Sequence, residues 1–264
     1  MADDATAEPL AAAVGDAMLA KDRPPMSAMA LLGIGAGAQI GFGSIGYLVA
    51  QSAMTAGGAT QWLSGVAFSV GLMLVMVSGT QLFTGNTMLV LPVAQHRLGM
   101  AATVRDWILV WVANLIGSIV IAALFVAAHA PDAIDGAVGR AALATAATKL
   151  GKDWTALLAS GVLANILVCL AVWMAIGAKS VGGKIAGVIG PVALFVAAGF
   201  EHSVANMSLL PIAHMIDPVA VPIGGIAANL ALVTIGNIVG GSLVAILLAA
   251  GHRTLTPHDK EQAA

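Results

Sequence analysis

Glu201 and His202 are the residues whose place in the sequence most strongly suggests chemistry. They are the only adjacent ionisable pair inside a long apolar segment of the chain. An ionisable side chain within a membrane span costs at least a few kcal/mol, so its default interpretation is functional. Histidine is also the side chain whose proton equilibrium lies near neutral pH. Proton exchange is therefore favoured for His202. For Glu201, a direct role and a role in tying helices together by hydrogen bonds both stay open.

Thr84 lies in a similar polar break earlier in the chain and is the predicted counterpart of His202 in the first half. Its hydroxyl group, together with backbone N–H groups at the start of a half-helix, could hold an anion. A helix-capping role suits the same residue, and the two roles are compatible. Asn86 and Asn206 are likewise predicted to cap the second half-helices.

Three of the six phenylalanines are candidate lining residues near the two breaks. Phe68 and Phe195 are in the segments that lead to the breaks, and Phe83 is within one. Aromatic side chains at such places can form an apolar constriction that strips water from a passing solute. Ordinary core packing accounts for them equally well from the sequence alone.

Lys149 is a lone lysine in a stretch of small residues just before a long apolar segment. A lysine at a membrane mouth often extends along the protein so that its ammonium group reaches water. It could also raise the concentration of anions at the mouth of a pore. Both interpretations stay open at this point.

The composition indicates the elements that must position these residues. Of the 264 residues, 59% are apolar and 9% are charged, against about 45–50% and about 25% in a soluble domain. A helix needs roughly 20 apolar residues to cross the hydrocarbon core. Six such segments lie near residues 27–54, 60–94, 107–129, 155–178, 186–213 and 221–250. We therefore predict an all-α integral membrane protein, in which residues 8–22 form a short amphipathic helix on the membrane surface.

The basic residues predict the orientation of the six helices. Six spans place both termini on one side, and eight of the 11 basic residues fall in segments on that side. Cytoplasmic loops carry the excess of lysine and arginine, so both termini are predicted to be cytoplasmic. The predicted organisation is a cytoplasmic N-terminal segment over residues 1–26, a six-helix transmembrane domain over 27–251 and a cytoplasmic tail over 252–264.

Two of the six segments are overlong and interrupted at corresponding places. The second breaks at the sequence SGTQLFTGN and the fifth at GFEHSVAN. Asn114 and Asn237 follow in the third and sixth segments as a second correspondence. Three helices per half is an odd number, so the halves must run in opposite directions. Inverted repeats with paired broken helices are typical of transporters, with the substrate site near the breaks.

Several other functions lack the residues they need. The sequence contains no phosphate-binding loop, so an ATP-driven pump is not predicted. Only His202 among the six histidines is deep in a span, so no haem site is predicted. We expect no metal, no cofactor, no nucleic-acid partner and no enzymatic activity. The single cysteine, Cys169, argues against a disulfide scaffold. The acidic first ten residues do not predict a cleavable signal peptide.

Four motifs together resemble those of the formate/nitrite transporter family. They are GTQLFTGNTM in the second segment, ANILVCLAVWMA in the fourth, GFEHSVANM in the fifth and TIGNIVGG in the sixth. The resemblance covers nearly the whole chain beyond residue 27. It implies an aquaporin-like protomer, a homopentamer and one substrate pore in each protomer.

The resemblance also implies roles for particular residues. Those that match the family's substrate pathway are His202, Thr84, Asn237, Lys149, Glu201 and Asn165. Those that match its constrictions are Phe68, Phe83, Phe195, Leu72 and Leu82. Gln81 departs from the pattern, because many family members have an acidic residue there. The short L-F-T-G-x-T-M form resembles the nitrite branch more than the formate branch.

The predicted function is transport of a small monovalent anion across the inner membrane of a bacterium. Nitrite, formate or a similar weak-acid anion would be attracted by Lys149, held near Thr84 and His202, and transiently protonated by His202. The neutral acid would then cross at a lower desolvation cost than the anion. Hydrosulfide or a short-chain carboxylate is an alternative substrate. A neutral-solute pore of aquaporin type is an alternative function, although no Asn-Pro-Ala sequence occurs.

Overall fold

The computed structural model of the protein describes residues 7–53 and 57–255, and the regular elements in those two stretches are helical. In chain order the α-helices are α1 (Ala7–Asp22), α2 (Met26–Ala53), α3 (Gly58–Ser78), α4 (Phe83–Asn86), α5 (Val90–Ala94), α6 (Met100–Ala127), α7 (Ala137–Leu150), α8 (Trp154–Gly177), α9 (Val181–Ala197), α10 (Ser203–Ile216) and α11 (Ile223–Gly251). Short 3-10 helices over Thr87–Leu89 and Ala130–Asp132 join α4 to α5 and follow α6.

The all-α membrane fold with two broken spans is confirmed. By length and composition, α2, α3, α6, α8 and α11 can each cross a membrane. The second span consists of α3 followed, after a break, by α4 and α5. The fifth consists of α9 followed, after a break, by α10. Neither polar sequence is therefore part of a continuous helix.

Both breaks begin at a glycine in the left-handed backbone region. Gly79 has φ 71° and Gly199 has φ 69°, a conformation that glycine adopts without steric cost. The backbone N–H that follows each glycine donates a hydrogen bond to the carbonyl five residues earlier. Thr80 donates to Val75 at 3.3 Å, and Phe200 donates to Phe195 at 2.9 Å. This pattern is a common helix ending. It turns the chain out of α3 and α9 in the same way.

Two asparagines hold the broken segments in place. Asn114 on α6 accepts a hydrogen bond from the Phe83 N–H at 2.9 Å and donates to the Gln81 carbonyl at 2.9 Å. Asn237 on α11 accepts from the Ser203 N–H at 2.8 Å and donates to the Glu201 carbonyl at 3.1 Å. Each side chain is fully buried. Because buried backbone groups outside a helix need partners, these asparagines satisfy the peptide groups that the breaks expose.

The matching bonds define the register of the inverted repeat. The helix pair α2 and α6 packs together as α8 and α11 do, and α3 packs against α9 between them. Gly79, Gln81 and Phe83 correspond to Gly199, Glu201 and Ser203. In this register the counterpart of His202 is Leu82, so the predicted correspondence with Thr84 is wrong. It failed because the motifs share too few residue types to align the breaks.

Close approach of backbones explains why small residues recur in the long helices. A Cβ atom added to Gly117 on α6 would collide with the Ile34 carbonyl oxygen of α2. One added to Gly240 on α11 would collide with the Val162 carbonyl oxygen of α8. Glycine therefore lets each helix pair pack tightly enough to hold the bracing asparagines against the breaks.

Helices α1 and α7 lie outside the six spans. In α1, Ala11, Val14 and Met18 are fully buried on one face, and the helix packs against α8 and α5. The sequence predicts that α1 lies on the membrane surface because the helix is amphipathic. Amphipathicity does not show whether the apolar face contacts lipid or protein. Helix α7 was not predicted; it packs against α2 and α10 and carries Lys149 in its last turn. Residues 256–264 of the predicted tail are outside the described residues.

Candidate anion pathway

His202 occupies the N-cap position of α10. Its Nδ1 atom accepts a hydrogen bond from the Ala205 N–H at 3.0 Å, and its Nε2 atom lies 2.9 Å from the Thr84 hydroxyl oxygen. A ring nitrogen that accepts a backbone N–H cannot carry a proton itself. In the neutral ring, the proton is therefore on Nε2 and is donated to Thr84. His202, not Asn206, caps α10, so the predicted capping role of Asn206 is wrong.

Thr84 brings the first half of the chain to the histidine of the second half. Its side chain is fully buried at the start of α4. Because the Thr84 oxygen accepts the Nε2–H, its own hydroxyl hydrogen remains available for donation. The Thr84 carbonyl accepts from the Thr87 hydroxyl at 2.6 Å and from Asn165 at 3.2 Å. The pair thus offers a hydroxyl donor at the junction of the two breaks.

Glu201 is a fully buried carboxylate between two lysines. Its Oε2 atom is 3.0 Å from the Lys149 ammonium, and its Oε1 atom is 2.6 Å from the Lys152 ammonium. Asn206 donates a further hydrogen bond to Oε2 at 2.7 Å. Such a carboxylate is stabilised in its ionised form, because opposite charges and donors surround it. Lys152 also donates to the Gly199 carbonyl at 2.7 Å and so spans the break.

An aromatic neck adjoins His202. The rings of Phe68 and Phe195 meet edge to face with centroids 5.8 Å apart. The Phe195 ring is stacked on the His202 ring at 5.7 Å. Phe68 and Phe195 are each 3% exposed, so both rings are buried. The neck joins a small chamber of about 50 Å³ lined by these three rings, Tyr47 and Lys149.

Two larger cavities adjoin this region, one sharing Tyr47 and Lys149 with the chamber and the other lined by Leu72 and Leu82. The lysine vestibule has a volume of about 270 Å³ and is lined by Lys149, Lys152 and Glu201 with Tyr47 and Gln61.

The α1 vestibule has a volume of about 290 Å³ and is lined by Lys21, Gln81, Leu72 and Leu82 among others. Leu72 and Leu82 are each 2% exposed and form its apolar floor. Desolvation by burial lowers the pKa of Lys21 to about 8.

Three predicted site residues lie behind the cavities. Phe83 and Asn237 are buried and are joined to the bracing network described above. Asn165 donates to the Asn237 carbonyl at 2.5 Å, to the Thr87 hydroxyl at 3.0 Å and to the Thr84 carbonyl. Their contacts position the Thr84 and His202 segments.

Comparison with known proteins agrees with this geometry. The family model described as formate/nitrite transporter matches residues 8–251. The chain belongs to the formate/nitrite transporter family. The formate channel FocA of Haemophilus influenzae is 36% identical over 244 residues, covering 85% of each chain.

Two solved structures show the same fold as this family member. A pentameric formate channel with formate bound has a TM-score of 0.76 and 35% identity, covering 84% of this chain and 95% of that one. A second structure, described as an FNT family ion channel, has a TM-score of 0.82 and 28% identity, covering 94% and 99%. The predicted membership of the formate/nitrite transporters is thus confirmed, and the nitrite branch stays a prediction.

Two residues of the candidate site in this formate/nitrite transporter family member were not predicted. Lys152 follows Lys149 by three residues, and this spacing was a usable signal for a shared partner. Asn229 on α11 accepts from Asn206 at 2.7 Å and so supports the Glu201 carboxylate. Its position in an apolar span was the only sign of that role.

Proposed function

We propose that each protomer passes small monovalent weak-acid anions, such as formate or nitrite, across a membrane. The observation that carries this proposal is the Thr84–His202 hydrogen bond. His202 lines a chamber that shares Lys149 with the lysine vestibule, and Leu82 lines the α1 vestibule. Lysines favour anions at one mouth. A buried hydroxyl and an imidazole can replace water around a single oxyanion group. The names of the similar channels support formate as one substrate.

Transient protonation of the anion by His202 is part of the proposal. The hydrogen bonds of the ring determine which nitrogen must gain a proton and which must lose one. The neutral ring has one proton, on Nε2, so donating it without a replacement would create an imidazolate. A proton must therefore reach Nδ1 first, which opens the bond from the Ala205 N–H. The resulting imidazolium donates from Nε2. That N–H bond breaks as an O–H bond forms on the anion, which leaves a neutral ring and a neutral acid.

The surroundings of this pathway complete the proposal. The chain assembles as a homopentamer, by analogy with the similar formate channel, which is pentameric. Each protomer lies in the lipid bilayer of a bacterial inner membrane with both termini cytoplasmic. Protons are the co-substrate, and no catalytic turnover is involved. The residue assignments of the pathway and the three-part division of the chain belong to the same proposal.

The direct test is flux into liposomes that contain the purified protein and a pH-sensitive dye. Inward gradients of formate and of nitrite should each acidify the lumen faster than in empty liposomes. Glycerol, which has no charge to be attracted or neutralised, should enter at the background rate. Rapid glycerol entrance without anion flux would overturn the proposal and make the chain a neutral-solute pore.

The aromatic neck gives a further expected result. Replacing Phe195 with alanine should open the neck, because it removes both the edge-to-face contact with Phe68 and the stack on His202. Leak of small neutral solutes should rise several-fold, and Phe68→Ala should act in the same direction. The leak is measured as glycerol entry into liposomes, followed by light scattering. Phe200→Ala, at the wall of the chamber, is the control. Flux and selectivity at wild-type values would make both rings simple packing residues.

A further inference from the structure

Two lysines share the single carboxylate at the lysine vestibule. Lys149 and Lys152 contact opposite oxygens of Glu201, whose side chain is 1% exposed, while the lysine side chains are 14% and 23% exposed. Glu201 can neutralise only one of them. The charged residues lining this cavity therefore leave one positive charge, and that charge faces water through the lysines.

We propose that Lys152, in addition to Lys149, supplies the excess positive charge with which the lysine vestibule attracts small monovalent anions. Without Lys152 the Lys149–Glu201 pair would carry no net charge, so the net positive charge of the vestibule depends on Lys152. Asp153, the neighbouring acidic residue, accepts hydrogen bonds from the Thr155 hydroxyl and the Ala156 N–H at the start of α8. These bonds lower the pKa of Asp153 and direct its carboxylate toward the helix terminus.

The two lysines differ in what else they contact. Lys149 lines both the vestibule and the chamber beside His202, whereas the lining of the chamber does not include Lys152. Charge at Lys152 can therefore be changed with less disturbance of the chamber. The inference rests on the proposed function, since it names where the transported anion is first bound. It predicts an electrostatic effect on the half-saturating concentration and not on the maximal rate.

The experiment measures tracer formate uptake by liposomes with wild-type protein and three variants. Lys152→Gln removes the charge but keeps a hydrogen-bond donor, and Lys152→Arg keeps the charge. Arg140→Gln is the matched control: Arg140 is exposed on the neighbouring helix α7 and donates to the Asp135 carbonyl. Ionic strength is varied from about 10 mM to about 1 M, which shortens the screening length from about 30 Å to about 3 Å.

At low ionic strength, Lys152→Gln should raise the half-saturating formate concentration about three- to fivefold, as expected for loss of one charge close to a partly solvated site. The difference should disappear at high ionic strength. Lys152→Arg and Arg140→Gln should keep the wild-type value and its salt dependence. The maximal rate should stay within about twofold in every variant.

Two results for the lysine variants would contradict capture by charge. One is uptake by Lys152→Gln equal to that of wild type at low ionic strength. The other is equal impairment of both lysine variants at every ionic strength, in which case Lys152 is a structural clamp between Glu201 and Gly199. Equal effects of Arg140→Gln and Lys152→Gln would also overturn the site, since they would show a general surface potential. Failure of wild-type protein to take up formate would instead overturn the proposed function.

Discussion

Replacing His202 with asparagine is expected to leave α10 intact and to reduce proton-coupled uptake about a hundredfold, the lower end of what a positioned proton donor contributes in a reaction. An asparagine side-chain oxygen can accept the Ala205 N–H that Nδ1 now accepts, and asparagine is a favoured N-cap residue. It cannot gain or lose a proton near neutral pH. The measurement is luminal pH in dye-loaded liposomes as formate or nitrite enters.

Two further variants separate the roles of this side chain. His202→Ala removes the cap as well as the proton and should cost about 1 kcal/mol of stability relative to asparagine. Thr84→Val keeps the histidine but removes the hydroxyl that accepts from Nε2. If His202→Asn acidifies the lumen as fast as the wild type and retains its pH dependence, the proton-donor role is wrong. His202 is then only an anchor for the broken helix.

Replacing Asn237 with alanine is expected to produce the largest loss of stability. Its amide donates to the Gly161 and Glu201 carbonyls, and its oxygen accepts from the Ser203 N–H, at distances of 2.8, 3.1 and 2.8 Å. Alanine leaves these three buried backbone groups without that partner. At about 1–3 kcal/mol for each group, the expected destabilisation is about 3 kcal/mol or more, measured by thermal unfolding in detergent.

The inverted repeat provides a matched test of the same idea. Asn114→Ala should be comparably destabilising, because Asn114 makes the corresponding bonds to the first break. Gln51→Ala is the control, since it removes a partly buried amide with one side-chain bond to Gln61 at 3.2 Å. The resemblance assigns Asn237 to the pore. If Asn237→Ala unfolds at the wild-type temperature yet transports with altered selectivity, that assignment is right and the bracing role is secondary.

The positions of the two breaks could be predicted because polar residues interrupt segments that are otherwise apolar. Gly79 and Gly199 mark the helix ends, and a polar run flanked by glycine is costly in a span unless the helix stops there. The bracing by Asn114 and Asn237 could not be predicted in the same way. It depends on which backbone groups lie opposite each amide, and that is decided by helix packing between segments distant in sequence.

The sequence suggested which residue types form the candidate site, but it did not suggest most of the contacts between them. His202, Glu201 and Thr84 were identified because polar groups are costly in a span. The meeting of Thr84 with His202 follows from the convergence of two breaks, which no local pattern encodes. Lys152 lies in the short turn after α7, a helix of mostly small residues that was not predicted. Only the turn between α7 and α8 brings both lysines to one carboxylate.

The two halves of the chain share a backbone arrangement, but their side chains differ at the two breaks. Gln81 occupies the position in the first half that corresponds to Glu201, and Leu82 occupies the position that corresponds to His202. An inverted repeat with identical side chains would present the same series of environments from either face of the membrane. In the proposed pathway, an anion moving one way would meet lysines, phenylalanines, histidine and then leucines, and an anion moving the other way would meet them in reverse. The free-energy profile along the pore is consequently skewed. Such a skew leaves equilibrium concentrations unchanged, and it leaves the permeability unchanged while the sites are far from saturation. Only at saturating anion concentrations should the rates under equal and opposite gradients differ.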